Sequence, residues 1–370
     1  MKILFAAGGT GGHINPALAV AGEIRDTQPD ADILFVGTKD KMESRLVPAA
    51  GFNFTTITIS GFQRKISLEN IKRNLQTLIN LVISFFQVKK LLRDFAPDVV
   101  VGFGGYVSGP VLRAAAKKGI KTVIHEQNAF PGMANKALAK TAERTLLTVP
   151  EAAKLMTSKN EPIITGLPVR GEILSADKKL AREKLGIPTD AFLVFSTGGS
   201  LGARAINDVM LGVIPKLTDK AWFIHGYGKF GGYVLDKFKE NGIDVKAPNT
   251  DIREYIYDMA DCLAAADLIV SRAGASSLAE IQALGKAAVL IPSPNVAENH
   301  QYHNAMAMVN RDAALIIEEK NLTPEKLQSE IEELMSDRER LDKIGKNARA
   351  MAKTDAKSQI AKIVVQLAKE

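Results

Sequence analysis

Short apolar runs alternate with amphipathic stretches along nearly the whole chain. Ile3 to Phe5 with flanking alanines, Ile33 to Val36, Val99 to Val101, Thr122 to Ile124 and Thr145 to Val149 read as buried strands. Each gives way to glycine, proline or polar residues and, in most cases, to a helical pattern. That alternation predicts α/β architecture with parallel sheets. A polar stretch with Pro162, Gly166 and Pro168 then breaks the pattern, the best candidate for a hinge.

After the hinge the opening of the chain returns. Residues 191–204 (AFLVFSTGGSLGAR) lie over Lys2 to His13 with glycines matching Gly8, Gly9 and Gly12. The turn Val270 to Ser277 likewise echoes the loop Gly102-Phe103-Gly104-Gly105-Tyr106. The economical reading is two Rossmann-like, doubly wound domains whose glycine loops face one cleft, because ligands of such sheets bind beyond the carboxyl ends of the strands. The domains predicted are 1–165 and 166–350. Residues 351–370 form a C-terminal helix that can pack on its own domain or cross back to the first. Its apolar positions Ile360, Ile363, Val364 and Leu367 have helical spacing.

The first turn, GGTGGHINPALA, offers bare backbone and a helix N-terminus, which suit close approach and anions. It is not a dinucleotide fingerprint. From Gly9 the third glycine of G-x-G-x-x-G falls on Ile14, and from Gly8 the second falls on Thr10. Nor is it a P-loop, since His13 and Ile14 stand where Lys and Ser/Thr are required. His13 is a candidate base and His125-Glu126 a polar pair at another strand end. In the second half, Ser200 and the backbone around it suit a phosphate. Ser276 and Ser277 stand in the first turn of another helix, with Glu280 one turn on to accept from ribose hydroxyls. Neutral amides at Asn299, Gln301 and Asn304 suit sugar better than metal, because His300 and His303 lack a clear third ligand.

Composition narrows the class. At 370 residues, with 46% hydrophobic and 24% charged residues, the chain can build two cores. Its one cysteine, Cys262, excludes an internal disulfide framework and suits a reducing cytoplasm. No export signal is expected, since Gly8 cuts the first apolar run, and no run of about 18 uncharged apolar residues predicts a membrane span. The formal charge of +7 suggests an anionic partner. One stretch, Leu68 to Phe95, carries too many apolar residues for a helix covering one sheet face. Leu75, Ile79, Val82, Phe85 and Phe86, flanked by Arg64, Lys65, Lys72, Arg73, Lys89, Lys90 and Arg93, read as a surface that dips into anionic headgroups. Two helices with separate buried faces are the alternative.

Six motifs in this order and spacing resemble the bacterial lipid I N-acetylglucosaminyltransferases of peptidoglycan synthesis, the MurG family: GGTGGHINPALA, GFGGYVSGP, HEQNAFPG, GGSLGAR, RAGASSLAE and ENHQYHNA. The resemblance covers essentially the whole chain. It implies a GT-B fold and an inverting transfer of N-acetylglucosamine from UDP-N-acetylglucosamine to the C4 hydroxyl of lipid I, giving lipid II, with no cofactor and no metal. It also implies peripheral attachment to the cytoplasmic side of the cell membrane, cell-wall synthesis and division proteins as candidate partners, and no nucleic acid. By the same resemblance Thr10, Gly11, Gly12, Asn128, Arg170, Ser200, Ile256, Arg272, Gly274, Ala275, Ser276, Ser277, Glu280 and Gln301 are donor contacts, with Ile256 reading uracil through its backbone. His13 is the general base, His125 and Glu126 belong to the acceptor side, and Gly104, Gly105 and Tyr106 form an acceptor or phosphate loop. Ser276-Ser277 departs from the family pattern, in which a bulkier residue often precedes the hydroxyl.

Two alternatives accompany that reading: a UDP-N-acetylglucosamine 2-epimerase-like enzyme, which needs no lipid acceptor, and a non-catalytic nucleotide-sugar sensor.

Overall fold

A computed structural model describes residues 1–60, 68–245 and 247–370, with the side chains of 68–73 set aside. Arg64 and Lys65, and the side chains of Lys72 and Arg73, therefore lie outside the described residues. The chain divides into two compact units: Met1–Pro168 with Asp355–Glu370, and Val169–Thr354.

In the first unit the strands are β1 (Lys2–Ala6), β2 (Asp32–Gly37), β3 (Asn53–Thr56), β4 (Val99–Gly102), β5 (Lys121–Glu126), β6 (Arg144–Leu147) and β7 (Ile163–Ile164). They form one parallel sheet in the order β3-β2-β1-β4-β5-β6-β7. β1 is buried on both faces, as its unbroken Ile3-Leu4-Phe5 run requires of a central parallel strand. Helices α1 (Gly11–Thr27), α2 (Glu43–Ala49), α3 (Leu68–Phe95), α4 (Gly105–Lys117) and α5 (Met133–Ala139) accompany this sheet, together with the C-terminal helix Ala356–Lys369. On one face Ile3 and Phe5 pack under α1 and the C-terminal helix Ala356–Lys369, with Phe5 stacked between Phe35 and Phe103. On the other, Leu4, Ala6 and Val100 meet Val88 and Leu92 of α3, Val111 and Leu112 of α4 and Leu138 of α5. Ser358 and Lys357 bind Glu23 of α1 and fasten the end of the chain there.

The second unit repeats the plan. Strands β8 (Leu193–Thr197), β9 (Trp222–Gly226), β10 (Thr250–Arg253), β11 (Leu268–Ser271), β12 (Ala287–Leu290) and β13 (Leu315–Ile316) are parallel, in the order β10-β9-β8-β11-β12-β13. Read from each unit's own first strand, the first six strands of both sheets have the same 3-2-1-4-5-6 order. The glycine turns singled out in the sequence follow the two strands flanking the point where strand order reverses: β1 and β4 in one unit, β8 and β11 in the other. That is where open α/β sheets bind ligands.

Two expectations change. β5 runs through Glu126, so His125 and Glu126 pair with Leu146 and Leu147 inside the sheet instead of standing in the loop after it. Residues 68–95 form one helix, not two, and its 74–95 portion is long and apolar enough, by length and composition, to cross a membrane. No run of 18 uncharged apolar residues occurs in it, since Lys89 and Lys90 end the uncharged stretch that begins at Asn74. Thr77, Asn80 and Gln87, polar positions along this helix, face the unit. Thr77 and Asn80 bond Ser60, and Gln87 bonds both the backbone N–H and the hydroxyl of Thr58.

Candidate active site

The turn after β1 is built on glycine for steric reasons. Gly9 has φ +91°, a left-handed value, and a Cβ on Gly105 would lie 2.3 Å from the Gly8 carbonyl oxygen. The loops after β1 and β4 therefore touch, main chain to main chain. α1 begins at Gly11, so Gly11, Gly12 and His13 make up its first turn, where helical N–H groups have no intrahelical partner. His13 Nδ1 lies 3.1 Å from the Gly8 oxygen and 3.3 Å from Thr10 Oγ1. A carbonyl only accepts, so Nδ1 carries a proton, and in the neutral ring the lone pair is then on Nε2. The ring lies over Gly104, whose Cβ would sit 3.0–3.1 Å from Cδ2 and Nε2. Tyr106 stands beside Gly9, its phenol pKa pushed up by burial and next by the charge of Glu43.

Beside this turn the predicted polar pair has gone inward. His125 is fully buried: Nε2–H donates to the Gly166 oxygen at 2.8 Å, Nδ1 accepts from Gln127, and the ring stacks on Phe103. Burial, which the Gly166 bond only partly opposes, lowers its pKa to about 4, so it is neutral at physiological pH. Glu126 is buried too. Its Oε1 accepts from the N–H and side-chain amide of Asn128, and Oε2 from Gly132 N–H and Asn135. The Glu126 side chain shapes the loop that presents Asn128, and both side chains are shielded from solvent.

In the second unit the turn after β8 is tighter still. A Cβ on Gly198 would lie 2.3 Å from Ala203 N, and one on Gly202 2.1 Å from the Tyr227 oxygen. Ser200 is exposed on this turn, while its carbonyl and that of Leu201 accept from Lys229 and Phe230 N–H. The helix Arg204–Leu217 follows, and the N–H groups of its first turn have no intrahelical partner. The turn after β11 ends at Gly274 and opens the helix Ala275–Leu284, with Ser276 and Ser277 in its first turn. Glu280, one turn on, accepts from Arg170 Nε at 3.0 Å. Burial raises its pKa, with Arg170 opposing. Gln301 Oε1 accepts from Ser293 N–H, which fixes its amide orientation. Ile256 is buried against Gly226. Arg272 instead turns to the Ile291 carbonyl and Glu319, so its guanidinium is committed to structure. Among the described residues no three His, Cys, Asp or Glu side chains group as metal ligands.

The sequence reading missed Glu43. It is the first residue of α2, fully buried, and accepts from Gly9 N–H, Thr38 N–H and Thr38 Oγ1–H. Its only trace in the sequence is Gly37, where a Cβ would lie 2.5 Å from Glu43 Cγ.

Residues 3–147 match the glycosyltransferase family 28 N-terminal domain, and residues 193–361 match the C-terminal domain of that family. The chain belongs to glycosyltransferase family 28. It is 42% identical, over 100% of its length and 99% of the relative's, to a protein of Acetivibrio thermocellus named UDP-N-acetylglucosamine--N-acetylmuramyl-(pentapeptide) pyrophosphoryl-undecaprenol N-acetylglucosamine transferase. A protein of the same name from Thermoanaerobacter sp. strain X514 is 44% identical over 98% of this chain and 99% of its own. The crystal structure of Acinetobacter baumannii MurG superposes with a TM-score of 0.80 at 28% identity, covering 99% of both chains. The UDP-GlcNAc 2-epimerase of Neisseria meningitidis, at 14% identity and TM-score 0.67 over 99% of this chain and 100% of its own, shares the fold alone.

Proposed function

We propose that this family 28 enzyme transfers N-acetylglucosamine from UDP-N-acetylglucosamine to the C4 hydroxyl of N-acetylmuramyl-pentapeptide-pyrophosphoryl-undecaprenol, with inversion at the anomeric carbon. The hydroxyl oxygen bonds to C1 as His13 Nε2 takes its proton, and the C1–O bond to UDP breaks with its electron pair leaving on the diphosphate. The observation that carries this reading is the bond from His13 Nδ1–H to the Gly8 carbonyl, which holds the proton on Nδ1 and so directs the basic lone pair to Nε2.

In this reading the second unit holds the donor. Ser200 with the N-terminus of Arg204–Leu217, and Ser276 and Ser277 with that of Ala275–Leu284, stabilise charge on the departing diphosphate. Glu280 and Gln301 take hydroxyl groups, and Ile256 offers its backbone to the base. The family resemblance assigns Thr10, Gly11, Gly12 and Asn128 to the transferred sugar, and Gly104, Gly105 and Tyr106 to the acceptor. Glu126 acts by shaping the Asn128 loop.

A lipid-linked acceptor gives α3 its purpose. Leu75, Ile79, Val82, Phe85 and Phe86 are exposed on it, with Lys89, Lys90 and Arg93 following. A groove of about 640 Å³ beside Leu81, Phe85 and Val88 is rimmed by Arg113, Lys117 and Lys140. An apolar face ringed by cations suits peripheral attachment to the anionic cytoplasmic leaflet.

The deciding experiment is UDP release with and without a lipid I analogue, in EDTA. The expected result is release that requires the analogue and ignores EDTA. Release that ignores the analogue would favour epimerase-like chemistry, and no release with any lipid-linked acceptor would favour a sensor. His13→Ala should cut turnover by roughly 10²–10⁴ and leave UDP-N-acetylglucosamine binding intact.

A further inference from the structure

One peptide group connects the His13 ring to a buried carboxylate. The oxygen of the Gly8–Gly9 peptide accepts from His13 Nδ1–H at 3.1 Å, and the N–H of that same peptide donates to Glu43 Oε2 at 3.1 Å. The chain of bonds runs carboxylate, peptide N–H, peptide C=O, imidazole N–H. We infer that Glu43 is the positioning residue of the His13 base, acting through the Gly8–Gly9 peptide in place of a direct carboxylate–histidine contact. The inference rests on His13 being the base.

Three features support it. Both Glu43 oxygens accept hydrogen bonds, and the three donors, Gly9 N–H, Thr38 N–H and Thr38 Oγ1–H, are all neutral, so none of them offsets a carboxylate charge beneath the turn. A negative charge on the N–H side polarises the peptide and strengthens its oxygen as an acceptor, as hydrogen bonds in series do in a low dielectric. That favours a positive imidazole ring, the form His13 takes on when it removes the hydroxyl proton. The arrangement is also enforced sterically. Gly37 leaves room for the Glu43 stem, and the contact of Gly105 with the Gly8 oxygen keeps the peptide from turning over. Among the described residues, titratable groups near the turn include Tyr106 on α4, which already senses Glu43, and His125, held neutral beyond Gln127.

The test measures His13 directly in the full-length protein, by NMR of ring and glycine nitrogens during a pH titration. In the wild type the Gly9 amide resonance should titrate with the His13 ring. In Glu43→Gln the ring pKa should fall by about one pH unit. The acid limb of kcat/KM for the acceptor should move to lower pH by the same amount, with plateau kcat lowered roughly tenfold. Glu43→Asp, which keeps the charge, should restore part of both shifts. A purely structural Glu43 would lower turnover at every pH without moving that limb. A Gly9 amide that ignores the His13 titration, or an unshifted ring pKa in a folded Glu43→Gln protein, overturns the inference. If Glu43→Gln does not fold, the wild-type Gly9 titration decides alone. Wild-type turnover by His13→Ala would instead overturn the base assignment and leave the ring measurements standing.

Discussion

Arg170 Nε donates to Glu280 Oε1 at 3.0 Å, joining two side chains 110 residues apart in the second unit. Burial holds the Glu280 carboxyl above its ordinary pKa, and Arg170 is the main force pulling it back. Arg170 therefore extends the range over which Glu280 is ionised and able to accept from two hydroxyls.

Removing Arg170 should expose that dependence. In Arg170→Ala the folded-state pKa of Glu280 rises further, so the carboxylate is lost at a higher pH as the solution is acidified. Calorimetric titration with UDP should show affinity falling earlier on the acid side than in wild type. In Glu280→Gln the same acid-side loss should be absent. Identical pH profiles for Arg170→Ala and wild type would rule out this role for the pair.

Glu126 is predicted to act through stability and loop order. Glu126→Ala removes the acceptors of Asn128 N–H and Gly132 N–H together with one of the two acceptors of the buried Asn135 amide. An unmet buried donor costs about 1–3 kcal/mol, so a loss on the order of 3 kcal/mol is expected in urea unfolding of the first unit. Glu126→Gln, which can satisfy only part of this set, should fall between. A stability change below about 0.5 kcal/mol would place these donors in contact with solvent.

Acid should weaken both units through a buried histidine in each. His125 and His225 are fully buried, and burial lowers both pKa values to about 4 from an ordinary 6.5. A depressed folded-state pKa means that the unfolded chain binds more protons between the two values. The stabilisation is complete above about pH 6.5 and is lost progressively toward pH 4, at most on the order of 3 kcal/mol for each ring. Denaturant midpoints should therefore fall between pH 6.5 and 5, before most carboxylates titrate. Flat midpoints across that window would mean that water reaches the rings.

The exposed aromatic pair on α3 offers a third class of test. Phe85 and Phe86 are 54% and 64% exposed, their rings 5.5 Å apart and edge to face. Phe85→Ser with Phe86→Ser should leave the melting temperature nearly unchanged, because little buried surface is lost. Sedimentation with vesicles containing phosphatidylglycerol should drop at least tenfold, given about 1.5–3 kcal/mol for burying one such side chain. Equal sedimentation of variant and wild type would show that the apolar face of α3 does not enter the lipid.

Much of the plan was legible from periodicity and glycine. Continuous apolar runs such as Ile3-Leu4-Phe5 identify parallel strands buried on both faces, and the echo of GGTGGH in GGSLGA revealed the repeated topology. His13 and Ser200 could be named as candidates because they lie in turns after strand ends, and Glu280 because it stands one turn into a helix that follows one. The extent of β5 was less legible: His125 and Glu126 look like loop residues, yet their polar groups are satisfied inside the sheet by Gly166, Gln127, Gly132 and Asn135.

What the sequence by itself determined is the set of local contrasts: where the chain is apolar on both faces, where only glycine fits, and where a helix must start. Tertiary structure alone decided which distant groups share those turns. Glu43 lies 34 residues from Gly9 and carries no spacing signature, because a hydrogen bond from a backbone N–H to a distant carboxylate depends on where α2 packs and not on any period. The same holds for the C-terminal helix, whose Ile360, Val364 and Leu367 stripe would serve any apolar groove and which α1 receives beside Ile14, Val20 and Ile24. Hydrophobic burial is non-directional, so the pattern specifies that a face is covered but not by which partner.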